Sequence, residues 1–151
     1  PFRSETERYG PYAKSGEYVY DHPFLWGSKR TGPDLLRVGG KYPDGWHYNH
    51  MKDPRSTSPG SIMPRYPWLI VNQLNTSTIQ KKITVLRKLG VPYPDGYETQ
   101  VMADMKAQAD TIVASLKNAT ITVEPDREIV AMIAYLQRLG TDGRASAGGT
   151  P

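Results

Sequence analysis

The chain has no cysteine and only two phenylalanines among its 151 residues. Without a thiol there is no disulfide framework, no thiolate zinc site and no cysteine nucleophile, and cysteine usage says nothing about compartment. No run approaches the roughly 18 apolar residues that span a bilayer, and no signal-peptide pattern is present. The chain opens Pro1-Phe2-Arg3 with no initiator Met, which reads as a processed chain or a cut-out piece. Neither sign of charge dominates: the net charge is +4 and the sequence pI about 9.3. That mild bias permits an acidic partner or an anionic ligand group without indicating nucleic acid. There is no G-x-S-x-G or H-E-x-x-H, and Gly39-Gly40 is not followed by the Lys-Ser or Lys-Thr of a phosphate loop. No catalytic constellation is left.

What the chain does have is 14 glycines, 13 prolines and ten tyrosines at 38% hydrophobic content. That composition implies a loop-rich fold with a modest core and amphipathic aromatics. Residues 1–43 read as irregular, punctuated by Tyr9-Gly10-Pro11, Asp21-His22-Pro23 and Thr31-Gly32-Pro33-Asp34. A short helix is expected over 44–53, with Asp44 as N-cap and Pro54 after its end. A loop follows over 54–69. The second helix, over 77–89, has its apolar face in Ile79, Ile83, Leu86 and Leu89, and stops at Gly90. The third, over 98–118, carries the stripe Val101, Met105, Ala109, Ile112 and Leu116. The fourth, over 125–139, starts on Pro125 and buries Ile129, Val130, Ile133, Leu136 and Leu139 before Gly140. Residues 141–151 read as a small, polar, disordered tail. The fold class is mainly α with long ordered loops.

One stretch is unlike ordinary core: Ser61-Ile62-Met63-Pro64-Arg65-Tyr66-Pro67-Trp68-Leu69. Pro64 and Pro67 push the residues before them out of the helical region, so Met63 lies in an extended loop. A methionine so held is either a soft thioether ligand, as at a haem iron, or a filler beside Tyr66 and Trp68. The three histidines admit two readings as well. His47 and His50 share a helix face with Asp44 or Asp53 near, and His22 lies upstream. Nitrogen and oxygen ligands for zinc are thus available, but the spacing is generic and solvated or hydrogen-bonded imidazoles are the favoured reading.

The order of the pieces is informative. Thr31-Gly32-Pro33-Asp34-Leu35 precedes Gly39-Gly40-Lys41-Tyr42 and Trp46; the Met63-Pro64 loop follows, and a helix ends Ile133-Ala134-Tyr135-Leu136-Gln137-Arg138-Leu139-Gly140. This resembles a class I cytochrome c domain downstream of its haem-attachment motif. The runs Pro1 to Gly10, Tyr20 to Leu35 and Met63-Pro64-Arg65-Tyr66-Pro67-Trp68-Leu69 narrow the resemblance. They are similar to the monohaem cytochrome c subunit (subunit II) of the cbb3-type cytochrome c oxidases, over essentially residues 1–140.

The resemblance implies a cytochrome c-like domain with residues 75–118 as a helical insertion. It implies electron transfer through haem c to the oxygen-reducing subunit of a haem-copper terminal oxidase in aerobic respiration. The partners implied are the catalytic and dihaem cytochrome subunits, on the periplasmic side of the bacterial inner membrane. Met63 would be the distal iron ligand, Pro33 would back the proximal imidazole and Leu35 would line the haem face. Lys41, Tyr42 and Trp46 would meet the propionates. The family's C-x-x-C-H motif has no counterpart here, and none of His22, His47 or His50 inherits the proximal role. The sequence therefore reads as a C-terminal piece beginning just past the attachment site, without the first haem-binding helix or membrane anchor. It is expected to be free of covalent haem, not catalytic alone, and marginal or rearranged as a monomer, a homodimer or swapped arrangement being one way to cover its exposed surface. The competing reading is a small basic helical module that binds an acidic protein or nucleic acid and has no redox role.

Overall fold

The architecture is described from a computed structural model, which defines Asp34 and residues 38–141. Residues 1–33, 35–37 and 142–151, and with them His22, Pro33 and Leu35, lie outside the described residues. Those described are mainly helical and contain no strand, only an isolated antiparallel bridge between Gln73 and Arg127. The chain divides into two compact units, Pro1–Tyr42 with Leu136–Pro151, and Pro43–Tyr135.

In the second unit, helix α1 spans Asp44–Lys52. Its N-cap is Pro43, not Asp44: the Pro43 carbonyl accepts from the amides of Trp46 at 2.9 Å and His47 at 3.2 Å. Asp44 therefore sits inside the first turn, where its charge meets the positive end of the helix dipole. Asp53 closes α1 in an extended conformation, as a residue before proline must, and opens α2 (Pro54–Thr57) by accepting from the Arg55 amide at 3.3 Å. The segment expected to be all loop thus contains α2 and, after Pro67, α3 (Trp68–Val71). Single helical turns leave no periodic signature.

Helices α4 (Ile79–Lys88) and α5 (Tyr97–Asn118) pack as a hairpin. Ile83 and Val101 are buried on these two helices, whereas Leu89, expected on the inner face, is half-exposed. At the end of α4, Gly90 at φ +91° lets its own amide reach Arg87 O (3.0 Å) and the Val91 amide reach Leu86 O (3.0 Å). This is a Schellman closure. The end of α5 has the same pair of bonds, Thr120 to Lys117 and Ile121 to Leu116, both 3.0 Å, but with Thr120 in the left-handed position at φ 61°. Helix α1 packs on α5, and at Gly45 a Cβ would lie 3.1 Å from that of Ala119.

Helix α6 (Glu128–Arg138) starts three residues later than Pro125 would place it. The residues before it are held by a strap. Leu74 N donates to Asp126 O (2.8 Å), Glu128 N to Asn72 O (3.1 Å) and the Arg127 guanidinium to Val71 O (2.7 Å). These tertiary bonds keep 125–127 in a turn. The core then gathers Tyr48 of α1, Leu69 of α3, Ile112 and Leu116 of α5, and Ile129, Val130 and Ile133 of α6. In the first unit, Gly39 N donates to Leu139 O (3.1 Å) and Gly40 N to Gln137 Oε1 (3.0 Å). Gln137 Nε2 returns to Tyr42 O at 2.9 Å.

Candidate functional site

Met63 lies where the prolines require it, in the non-helical segment between α2 and α3. It is half-buried, and its amide donates to Ser61 Oγ at 3.2 Å. The segment is fastened on both sides. Ser61 N donates to Ser58 O (3.0 Å), Ser61 O accepts from Arg55 Nε (3.4 Å), and Tyr66 N donates to Met51 O of α1 (2.9 Å). Arg65 forks onto the Asp53 carboxylate at 3.2 and 3.0 Å. The fork matches the planar carboxylate and sets the direction in which the chain leaves Met63. Nothing in the sequence alone marks Asp53 as that partner, twelve residues upstream.

The helix stitched to this segment carries four aromatic rings, of which Tyr48 enters the core and Trp46, His47 and His50 meet one another. Trp46 stacks on His50 with centroids 4.5 Å apart and planes 11° apart, and meets His47 edge-on at 5.4 Å. His47 is 2% exposed. Burial lowers its pKa, Asp44 raises it and His50 lowers it again. Burial lowers that of His50 too. The Thr57 hydroxyl lies 2.6 Å from His50 Nδ1 and 3.2 Å from Pro54 O, so it ties the imidazole to the turn that opens α2. Among the described residues, which do not include His22, no three His, Cys, Asp or Glu side chains are grouped to hold a metal.

Of the residues expected to serve a haem, Met63 and Trp46 belong to the second unit, and Lys41 and Tyr42 to the first. The exposed Lys41 has its Nζ 5.5 Å from the centre of the Tyr42 ring. Trp46 contributes its indole to the His50 stack. Measured against a c-type haem, the chain fits at one end only. Met63 offers a thioether in a non-helical segment fastened on both sides. The chain has no cysteine to form a thioether bond. The residues present do not by themselves complete a covalent haem site.

No helix among the described residues is long and apolar enough to cross a membrane. A family model described as cytochrome c oxidase, mono-heme subunit/FixO matches residues 1–142. The chain belongs to that family. The family is a haem c subunit of a cytochrome oxidase complex and acts in respiratory electron transport. A search of curated proteins gives no match to the chain.

Proposed function

We propose that this member of the mono-haem subunit family serves a cbb3-type oxidase on the periplasmic side of the membrane. There it passes single electrons toward the oxygen-reducing catalytic subunit. The observation that carries this reading is the family match over residues 1–142. Haem c supplies the one-electron couple. On the family resemblance, Met63 would give the distal sulfur, Pro33 would back the proximal ring, Leu35 would line the haem face, and Lys41, Tyr42 and Trp46 would meet the propionates. A soft sulfur ligand favours the reduced iron and so raises the potential. The fastening of the Met63 segment by Asp53–Arg65 and by the Met51 carbonyl supports a positioning role, since a ligand arm must not be free to swing. Residues 75–118 are read as an insertion into the cytochrome-like domain.

Covalent attachment must come from outside this sequence, because the chain has no thiol. The isolated chain is accordingly read as free of covalent haem. Ile62 (85% exposed), Trp68 (48%) and Val71 (67%) flank Met63 in the sequence and present apolar surface. The catalytic and dihaem cytochrome subunits are the partners proposed to cover it.

The deciding experiment is Met63→Ala in the assembled oxidase. Covalent haem should remain, with loss of the spectroscopic signature of methionine–iron ligation and a fall in potential. An unchanged signature would remove Met63 from the assignment. Adding haem to the isolated chain should give no pigment that survives denaturation.

A further inference from the structure

Helix α4 carries Lys81, Lys82, Arg87 and Lys88 and no carboxylate. At 3.6 residues per turn its inner side holds the buried Ile83 with Ile79 and Leu86. Arg87 lies at the margin of that side and is already neutralised, by Glu98 at 2.6 Å and by Asp95. The outer side is different. Val85 and Leu89, four residues apart and so one above the other, are 54% and 52% exposed. On the helical wheel Lys81 and Lys88 fall along one flank of this ridge and Lys82 along the other. All three lysines are exposed, and none is in a salt bridge among the described residues.

We propose that the outer face of α4 docks on an anionic phospholipid surface, with Val85 and Leu89 entering the interface and Lys81, Lys82 and Lys88 meeting lipid phosphates. Charge complementarity points to an anionic occupant, because the face presents three unpaired cations and no acid. The size of the ridge separates a bilayer from a protein. A stable protein interface covers about 800 Å² on each partner with matched shape, far beyond two half-exposed side chains. A bilayer demands no matched shape, and lysine stems can lie along the apolar layer while their ammonium groups reach the phosphates. An acidic protein segment would engage the lysines but gain little from the ridge. The docking does not depend on the haem reading, so either can fail alone.

The test uses the full chain and vesicles of phosphatidylcholine with or without phosphatidylglycerol, read by co-sedimentation. Binding should require phosphatidylglycerol and weaken with added salt. Each of Lys81→Gln, Lys82→Gln and Lys88→Gln should lower partitioning about fivefold. Val85→Ser with Leu89→Ser should lower it at least as far with charge unchanged. Lys106→Gln and Lys117→Gln, on α5, should change it less than about twofold, which separates a face from general basicity. Circular dichroism of each variant checks that the helices persist, and all substituted positions on α4 are exposed. No binding to phosphatidylglycerol overturns the proposal. So does equal loss in the α5 controls, indifference to the Val85/Leu89 change, or binding to an acidic peptide in place of vesicles.

Discussion

Thr120 holds a position that glycine usually fills. Its φ of 61° crowds a β-branched side chain against its own backbone, at a cost of about 1–2 kcal/mol. Its hydroxyl recovers only an exposed bond to Ala119 O at 2.7 Å. Thr120→Gly should therefore stabilise the chain by about 0.5–1 kcal/mol once the added freedom of the unfolded glycine is counted. Urea denaturation reads this directly, and a lower midpoint for the variant would show that the threonine is not strained. The two α1 histidines act in the other direction. Burial holds both imidazoles below the ordinary value of 6.5, so between that value and the folded pKa the unfolded chain binds more protons. Stability then rises with pH through this window, is lost on acidification below about pH 6.5, and is flat above it as far as these groups contribute. The melting temperature should fall from about pH 7.5 to about pH 5, less steeply in His50→Gln. A slope that His50→Gln leaves intact would place the effect elsewhere. At this scale the sequence revealed that Met63 lies outside any helix, through its proline. The contact between Thr57 and His50 was not legible, because it depends on a turn that only the fold creates.

Helices showed through where apolar residues recur over three turns or more. The α5 stripe is the clearest: Val101, Ile112 and Leu116 are buried, with Ala109 at the edge of the core. Gly90 and Gly140 end their helices in the left-handed region, at φ +91° and +73°. The failures have more than one cause, tertiary at Pro125 and local at Asp44. Pro125 suits a first helical position, but the strap from 71–74 holds it in a turn. Asp44 suits an N-cap, but Pro43 takes that place. Glycine at 39 is an element-scale requirement of a different kind. A Cβ there would meet Leu139 O at 2.3 Å and Gln137 O at 2.7 Å, both backbone atoms. Gly39→Ala must force those segments apart, at about 1–3 kcal/mol, and should release the Gly40 amide from Gln137. Faster hydrogen exchange at Gly40 is the readout. Protection equal to the native chain would mean that the turn relaxes without loss.

For the molecule as a whole, the apolar surface that flanks Met63 has to be reconciled with life in water. Ile62, Trp68 and Val71 fall within ten residues, and each is about half-exposed or more. Isolated apolar side chains are ordinary on a protein surface, but several along one segment mark an interaction site. In the oxidase the proposed partner subunits cover them. In the isolated chain a second copy is the available cover, which gives the expected homodimer its physical basis. Light scattering coupled to size exclusion should show a dimer that dissociates on dilution. Val71→Asp should shift the population to monomer without lowering the melting temperature of the monomer, because Val71 is 67% exposed and contributes little to the core. The α4 pair Val85→Ser/Leu89→Ser should leave the dimer intact, since that face is assigned to lipid. A native chain that stays monomeric at every concentration would mean that the Met63 flank associates only with the other subunits. A dimer lost through α4 instead would move self-association to the face assigned to the bilayer.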